Sequence, residues 1–275
     1  MLKLTWIVKN ASLTCAILLT FACKKDDNNA PLNPTPNPDS YPAFQITREV
    51  SYNGISVDVV IDKPEGNAHD VLMVFHGTVM FDSLVLQAAQ NSLNAFKNLL
   101  NVPDLMLVSV AYPEENLLFG DNNAHCEAAL LWLKNNAGHE LRVEIKSIFL
   151  AGHSQGGYHA TRLNTLHITN GVIANAPGPL NLVYRCELEE HGQMPNGIVC
   201  GLLNAEYGAP SENPEPYYAR SLLNFTSNFK ADILFVQGLQ DSPIQMYSWP
   251  TFKTMIQDCG NCQESVFFGA TRIRT

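Results

Sequence analysis

Ile148-Phe149-Leu150-Ala151-Gly152-His153-Ser154-Gln155-Gly156-Gly157 is the stretch whose reading decides the fold. Four apolar residues run into a G-x-S-x-G pentapeptide, and residues 157–163 continue as a helix-forming segment. Small residues on both sides of a serine let the chain turn sharply from strand into helix, and the strained turn lifts the hydroxyl clear of the sheet. The backbone N–H of Gln155 then points at whatever Ser154 attacks. The pentapeptide by itself is common, and it is the strand, turn, helix context that gives it weight.

Working outward, residues 44–50 and 55–61 read as two strands joined through Tyr52-Asn53-Gly54, a hairpin turn signal. Residues 71–75 and 105–110 are continuous apolar runs, the pattern of strands buried on both faces. Between them, Leu86, Ala89, Leu93, Phe96 and Leu100 recur at spacings of three and four and predict a helix over 84–100. A second helix is expected over 123–136, with Cys126, Ala129, Leu130 and Leu133 on one face. Further strands fall at 148–151, 171–175, 233–236 and 265–268. Buried strands alternating with helices predict an α/β fold, a mostly parallel, doubly wound sheet with an antiparallel N-terminal edge. Residues 179–230 break the rhythm; they are rich in Pro and Asn around 210–218 and carry Cys186 and Cys200. An insertion of this length reads as a cap over the site or as a decorated surface loop.

Two further segments bear on chemistry. His76-Gly77-Thr78 ends the strand at 71–75. There the N–H of Thr78 would pair with that of Gln155 to hold a developing oxyanion about 3 Å away. Asp241 follows the strand at 233–236 through Gln237-Gly238-Leu239-Gln240. An acid at the tip of a buried parallel strand lies on the ligand-binding edge of such sheets, where it can orient an imidazole. Asp258 is the alternative acid.

Residues 71–78, Val110-Ala111-Tyr112-Pro113, residues 152–157 and Phe235-Val236-Gln237-Gly238-Leu239-Gln240-Asp241 come in an order that resembles the α/β-hydrolase superfamily, in its secreted esterase and prolyl-oligopeptidase-like branch. The likeness runs from about residue 44 to the end. It implies an α/β-hydrolase domain over 44–275, with Ser154 as nucleophile, Asp241 as triad acid, and Thr78 and Gln155 as the oxyanion hole. It implies cleavage of ester bonds, less readily of peptide bonds, in a small-molecule, carbohydrate or lipid ester, with no metal and no organic cofactor. The family places its histidine after the acid. The eight histidines here are His69, His76, His125, His139, His153, His159, His167 and His191, and none follows Asp241. The expectation is therefore a chain shortened before its catalytic histidine, with His191 of the insertion as the least unsuited substitute. The alternative is a non-catalytic binding protein or pseudoenzyme. A serine without a base is a weak nucleophile at neutral pH.

The N-terminus reads as a leader. Lys3 and Lys9 precede an apolar stretch over 11–22 too short to span a bilayer, as in a secretory signal peptide at 1–22. Leu19-Thr20-Phe21-Ala22-Cys23 resembles a lipobox, which makes Cys23 the expected lipid attachment site and places the protein in a bacterial envelope, on a membrane. The rival is an ordinary cleaved leader. Residues 23–43, with Pro31, Pro34, Pro36 and Pro38, read as an extended tether. The formal charge of −9 and the lack of a basic stripe argue against a nucleic-acid partner. Outside the leader and Cys23, five cysteines remain. Cys186 with Cys200 and Cys259 with Cys262 are candidate disulfides, and Cys126 is expected as a buried thiol. A redox or zinc role for Cys259-Gly260-Asn261-Cys262 has no second ligand pair nearby to support it.

Overall fold

A computed structural model describes residues 41–270. The leader, Cys23 and nearly all of the tether lie outside the described residues. Eight strands, β1 (Phe44–Tyr52), β2 (Ile55–Lys63), β3 (Ala68–Phe75), β4 (Met106–Ala111), β5 (Glu144–His153), β6 (Gly171–Asn175), β7 (Ile233–Gly238) and β8 (Ser265–Ala270), form one sheet in the order β1-β2-β4-β3-β5-β6-β7-β8. The ladders β1–β2 and β2–β4 are antiparallel and all the others are parallel. The antiparallel edge is thus made by β2 alone, which runs against the seven other strands.

The apolar runs become central strands because both faces are covered. In β3, Val71, Met73 and Phe75 face one core and Leu72 and Val74 the other. Helix α1 (Val85–Leu100) closes the second core with Ala89 and Leu93. The first core is closed by α2 (Asn123–Asn135), the short α3 (Ala137–Leu141), α4 (Gln155–Leu166) and α8 (Pro243–Gln257), which contribute Cys126, Leu130, Ala137, Leu163 and Phe252. Alternation along a strand with each face packed is the pattern expected of a sheet layered between helices.

One expectation needs correcting. Leu86 does not join the buried stripe of α1; it is 41% exposed, and Val85 packs against the core in its place. Residues 179–230 hold α5 (Leu182–Glu190), α6 (Ile198–Tyr207) and α7 (Glu215–Tyr218). Proline sits between these helices or at the start of α7, and Asn181 caps α5 by accepting the Tyr184 N–H. The disulfide Cys186–Cys200 ties α5 to α6 with a Cα separation of 5.3 Å. Cys259 and Cys262 are also bonded, and Cys126 is a buried free thiol.

The parallel register brings the strand ends to one rim. Phe75 lies beside Gly152, Gly152 beside Ala174, Asn175 beside Val236, and Gly238 beside Ala270. The described chain enters at the opposite edge, where Phe44 pairs with Lys63. There the buried Lys63 ammonium donates to the carbonyls of Tyr41, Pro42 and Pro64.

Candidate active site

The serine turn is built by contact that only glycine permits. A Cβ on Gly152 would lie 2.1 Å from the Gly156 carbonyl carbon, and one on Gly156 would lie 2.1 Å from the Phe75 carbonyl oxygen. The first turn of α4 is therefore pressed onto the ends of β5 and β3 with no room for a side chain between them. Ser154 sits in the bend at φ +56°, a left-handed conformation that costs a non-glycine residue about 1–3 kcal/mol. The surroundings hold it there. The Ser154 N–H donates to the Asn175 carbonyl, and the Ser154 carbonyl accepts from the N–H groups of Tyr158 and Gly178. Ser154 is half-buried at the rim, while its neighbour Gln155 is wholly buried.

Gly77 packs on the serine: a Cβ there would stand 3.8 Å from Ser154 Cβ. The next residue, Thr78, is joined to the elbow by a side-chain hydrogen bond from its Oγ1 to Gln155 Oε1 at 2.7 Å. The two segments expected to supply oxyanion donors are thus cross-linked across 77 positions of sequence. Gln155 is the first residue of α4, where a helix has no earlier carbonyl to take the N–H. Among the described residues no backbone carbonyl accepts the N–H of Thr78 or of Gln155.

Asp241 follows β7 on the same rim and is half-buried. One carboxylate oxygen accepts from Gln237 Nε2 at 2.8 Å and the other from the Ser242 N–H at 2.7 Å. Gln237 in turn accepts from Gln245 Nε2, which also donates to the Pro177 carbonyl. Pro177 adjoins Gly178, whose N–H reaches Ser154. A chain of side-chain amides therefore connects the acid to the elbow. Asp258 is set apart from both: it ends α8 at the far end of a 15-residue helix, about 20 Å along its axis.

Six of the eight histidines fall into three groups. His76 and His159 are buried beneath the rim. The His76 ring stacks on Tyr112 at 3.9 Å and its Nδ1 donates to the Gly77 carbonyl, while the Tyr112 hydroxyl donates to the His76 carbonyl. Burial pushes His76 down to about 4 and His159 well below the usual histidine range, so both are neutral near pH 7. His69 is held by backbone carbonyls, His167 by Glu127. His153 points outward from β5, and His191 is exposed at the C-terminal cap of α5. Among the described residues none is hydrogen-bonded to Ser154 or Asp241.

Sequence reasoning missed Glu114, Gln237 and Gln245. Glu114 follows the Tyr112-Pro113 end of β4 and lies by the Gln155 side chain; burial first, opposed by the Gln155 amide and aided by the charge of Asp82, pushes its carboxyl up to about 8. Its position immediately after a buried strand at the rim was the available signal. The helix carrying Gln245 was masked by Pro243 and Pro250, although proline in the first turn is favourable to a helix. Among the described residues no cluster of three or more His, Cys, Asp or Glu side chains is placed to hold a metal ion.

No protein-family model matches the sequence, and a search of curated proteins returns no match. Solved structures do match. The uncomplexed Pyrococcus horikoshii acylaminoacyl peptidase superposes with a TM-score of 0.58 at 15% identity over 84% of this chain and 37% of its own. A Mycobacterium tuberculosis puromycin-hydrolyzing peptidase gives 0.60 at 15% over 87% and 37%. Brefeldin A esterase, described as a bacterial homologue of human hormone sensitive lipase, gives 0.56 at 17% over 89% and 73%. The chain spans little more than a third of the length of the peptidases. With the strand order, the lone reversed β2 and the elbow after β5, these likenesses identify the architecture of residues 41–270 as the α/β-hydrolase fold.

Proposed function

We propose that the protein is a serine hydrolase that cleaves ester bonds through an acyl-enzyme on Ser154. The observation that carries this reading is the glycine-enforced bend that strains Ser154 at the strand tips beside the Thr78–Gln155 cross-link. In the reaction Ser154 Oγ attacks the ester carbonyl and gives its proton to a base. The carbonyl oxygen gathers charge between the N–H groups of Thr78 and Gln155. The tetrahedral intermediate then collapses, the alcohol leaves with the proton, and water hydrolyses the acyl-serine. Preorganised donors of this kind contribute around 10²–10³ in rate each. Asp241, with both oxygens already hydrogen-bonded, is the acid that would orient an imidazole base, and among the described residues no histidine reaches it or Ser154.

One observation favours a second reading, a binding protein that keeps the pocket without turnover: residues 242–275 contain no histidine. The rim position of Ala270, whose carbonyl accepts the Leu239 N–H, puts the start of any segment following β8 beside the Asp241 loop. A fluorophosphonate probe separates the readings. Labelling abolished by Ser154→Ala supports the hydrolase, whereas no labelling and no turnover of p-nitrophenyl butyrate support the binding protein. Reading the coding DNA beyond Thr275 in all three frames for a histidine is the cheap companion test.

In this reading the insertion at 179–230 is a cap. It springs from Gly178, whose N–H donates to the Ser154 carbonyl, and Tyr184 of α5 stacks at 3.9 Å on Tyr247 of α8, the helix that follows Asp241. Carbohydrate and lipid esters are the substrate classes to screen. Cys23 is the lipid attachment site that holds the domain on a bacterial envelope membrane. Loss of palmitate incorporation in Cys23→Ala would support this, and incorporation unchanged by that substitution would refute it.

A further inference from the structure

Beneath the two expected oxyanion donors lies a set of polar groups that the reaction above does not use. Gln155 is wholly buried; its Oε1 accepts from the Thr78 hydroxyl, and its Nε2, at the other end of the amide plane, is buried as well. Facing it is the Glu114 carboxyl. Gln155 Nε2 and Glu114 Oε1 are both shut off from solvent, and neither has a partner in good hydrogen-bond geometry. Buried donors and acceptors left in this state are costly, and a facing pair relieves that cost by closing on one another. The backbone under Glu114 is held firmly, because Asp82 Oδ1 accepts the N–H of Glu114 at 2.7 Å and of Glu115 at 2.8 Å.

We propose that Glu114 is a positioning residue for the oxyanion hole: through the Gln155 side-chain amide and the Thr78 hydroxyl it sets the spacing of the Thr78 and Gln155 backbone N–H groups, and its ionisation switches that spacing off.

The catalytic half of this statement rests on the serine-hydrolase reading; the linkage Glu114–Gln155–Thr78 does not. The sign follows from the charges. A neutral Glu114 accepts from Gln155 Nε2 without adding charge beneath the hole. An ionised Glu114 would pull Gln155 toward itself and set a negative charge below the place where an oxyanion must form. Burial, helped by Asp82 and opposed by the Gln155 amide, which favours the ionised form, keeps the carboxyl protonated up to about pH 8. The other groups facing it do not titrate in this window. Tyr112 on the β4 side and Cys126 of α2 are both pushed well above their usual values by burial, and His125 of α2, which feels Asp82, is pushed down by burial. Glu115 faces the Asp82 backbone rather than Glu114. The hole is therefore intact at neutral pH and weakened above it.

The test has a readout that needs no turnover. The backbone amide resonances of Thr78 and Gln155 are followed by ¹H–¹⁵N NMR from pH 6 to 9.5 in the full chain and in Glu114→Gln, which keeps the shape and removes the titration. The proposal expects both amides to shift together with one midpoint near pH 8, and to stay flat in Glu114→Gln. In Thr78→Val the Gln155 amide should still titrate while residue 78 no longer follows it. Amides that do not move, or that move equally in Glu114→Gln, overturn the linkage. In parallel, the Ser154-dependent fluorophosphonate labelling rate should fall about tenfold between pH 7 and 9 in the wild type and much less in Glu114→Gln. Labelling with the same profile in both overturns the positioning role. Titrating amides in a protein that never labels would sink the hydrolase reading and leave the linkage standing.

Discussion

The two halves of the site are held together by different physics. On the serine side, position is fixed by backbone pressed against backbone: Gly152 against Gly156, Gly156 against the end of β3. On the acid side, Asp241 sits half-exposed on a loop, placed by the amides of Gln237 and Gln245. Close packing has no soft mode, because a Cβ in either glycine contact must move a strand or a helix. A chain of side-chain hydrogen bonds can lose one member and re-form around water. Ser154 is thus the rigid reference, and Asp241 is the adjustable partner.

The most severe way to probe this contrast is to add one methyl group on each side. Gly156→Ala should destabilise the protein by at least about 3 kcal/mol or prevent folding, since the new Cβ meets backbone. Gly178→Ala should cost under about 1 kcal/mol, because its Cβ meets only the end of the Gln245 side chain, at 3.2 Å. Urea melts of the two variants would decide it, and equal losses would erase the distinction.

Next in size is a pH effect on the serine side. Glu114 has its folded-state pKa raised from 4.5 to about 8, so the folded form holds a proton that the unfolded form has released. Its contribution is fully present below pH 4.5 and is lost as pH rises toward 8. Glu114→Gln removes that dependence. The variant should match the wild type near pH 4.5 and exceed it by on the order of a few kcal/mol at pH 8, as the difference between two sets of urea melts.

On the acid side, Gln237→Leu removes the Asp241 and Gln245 contacts together. A loss of about 1–2 kcal/mol is expected, with a ten- to hundredfold fall in Ser154-dependent probe labelling and no change in the Cys186–Cys200 bond. The smallest effect returns to the elbow. Ser154→Gly should raise stability by about 1 kcal/mol by releasing the strain at φ +56°, measured by thermal melts against Ser154→Ala, which keeps it.

Much of the fold was legible because period and burial are local signals. Residues 71–75 and 105–110 announced central strands by composition alone, and residues 148–157 announced the strand, bend and helix in order. Ser154, Thr78 and Asp241 could be named because each lies just past an apolar run, and the structure brings all three to one rim. What the sequence hid was side-chain geometry between distant segments. Nothing in Tyr112-Pro113-Glu114 tells that the carboxyl will face an amide 41 positions later, and nothing in Gln237 or Gln245 tells that they will hold an aspartate. The helices of the insertion went unread for another reason: they are short, proline lies between them, and a disulfide rather than a long apolar face ties two of them together.

Lys63 has a consequence that reaches beyond the fold. Its ammonium gathers three carbonyls, those of Tyr41, Pro42 and Pro64, and so clasps the incoming chain at the blunt edge of the sheet, across from the mouth where Ser154 and Asp241 open. The described residues thus begin on the side of the sheet away from Ser154 and Asp241.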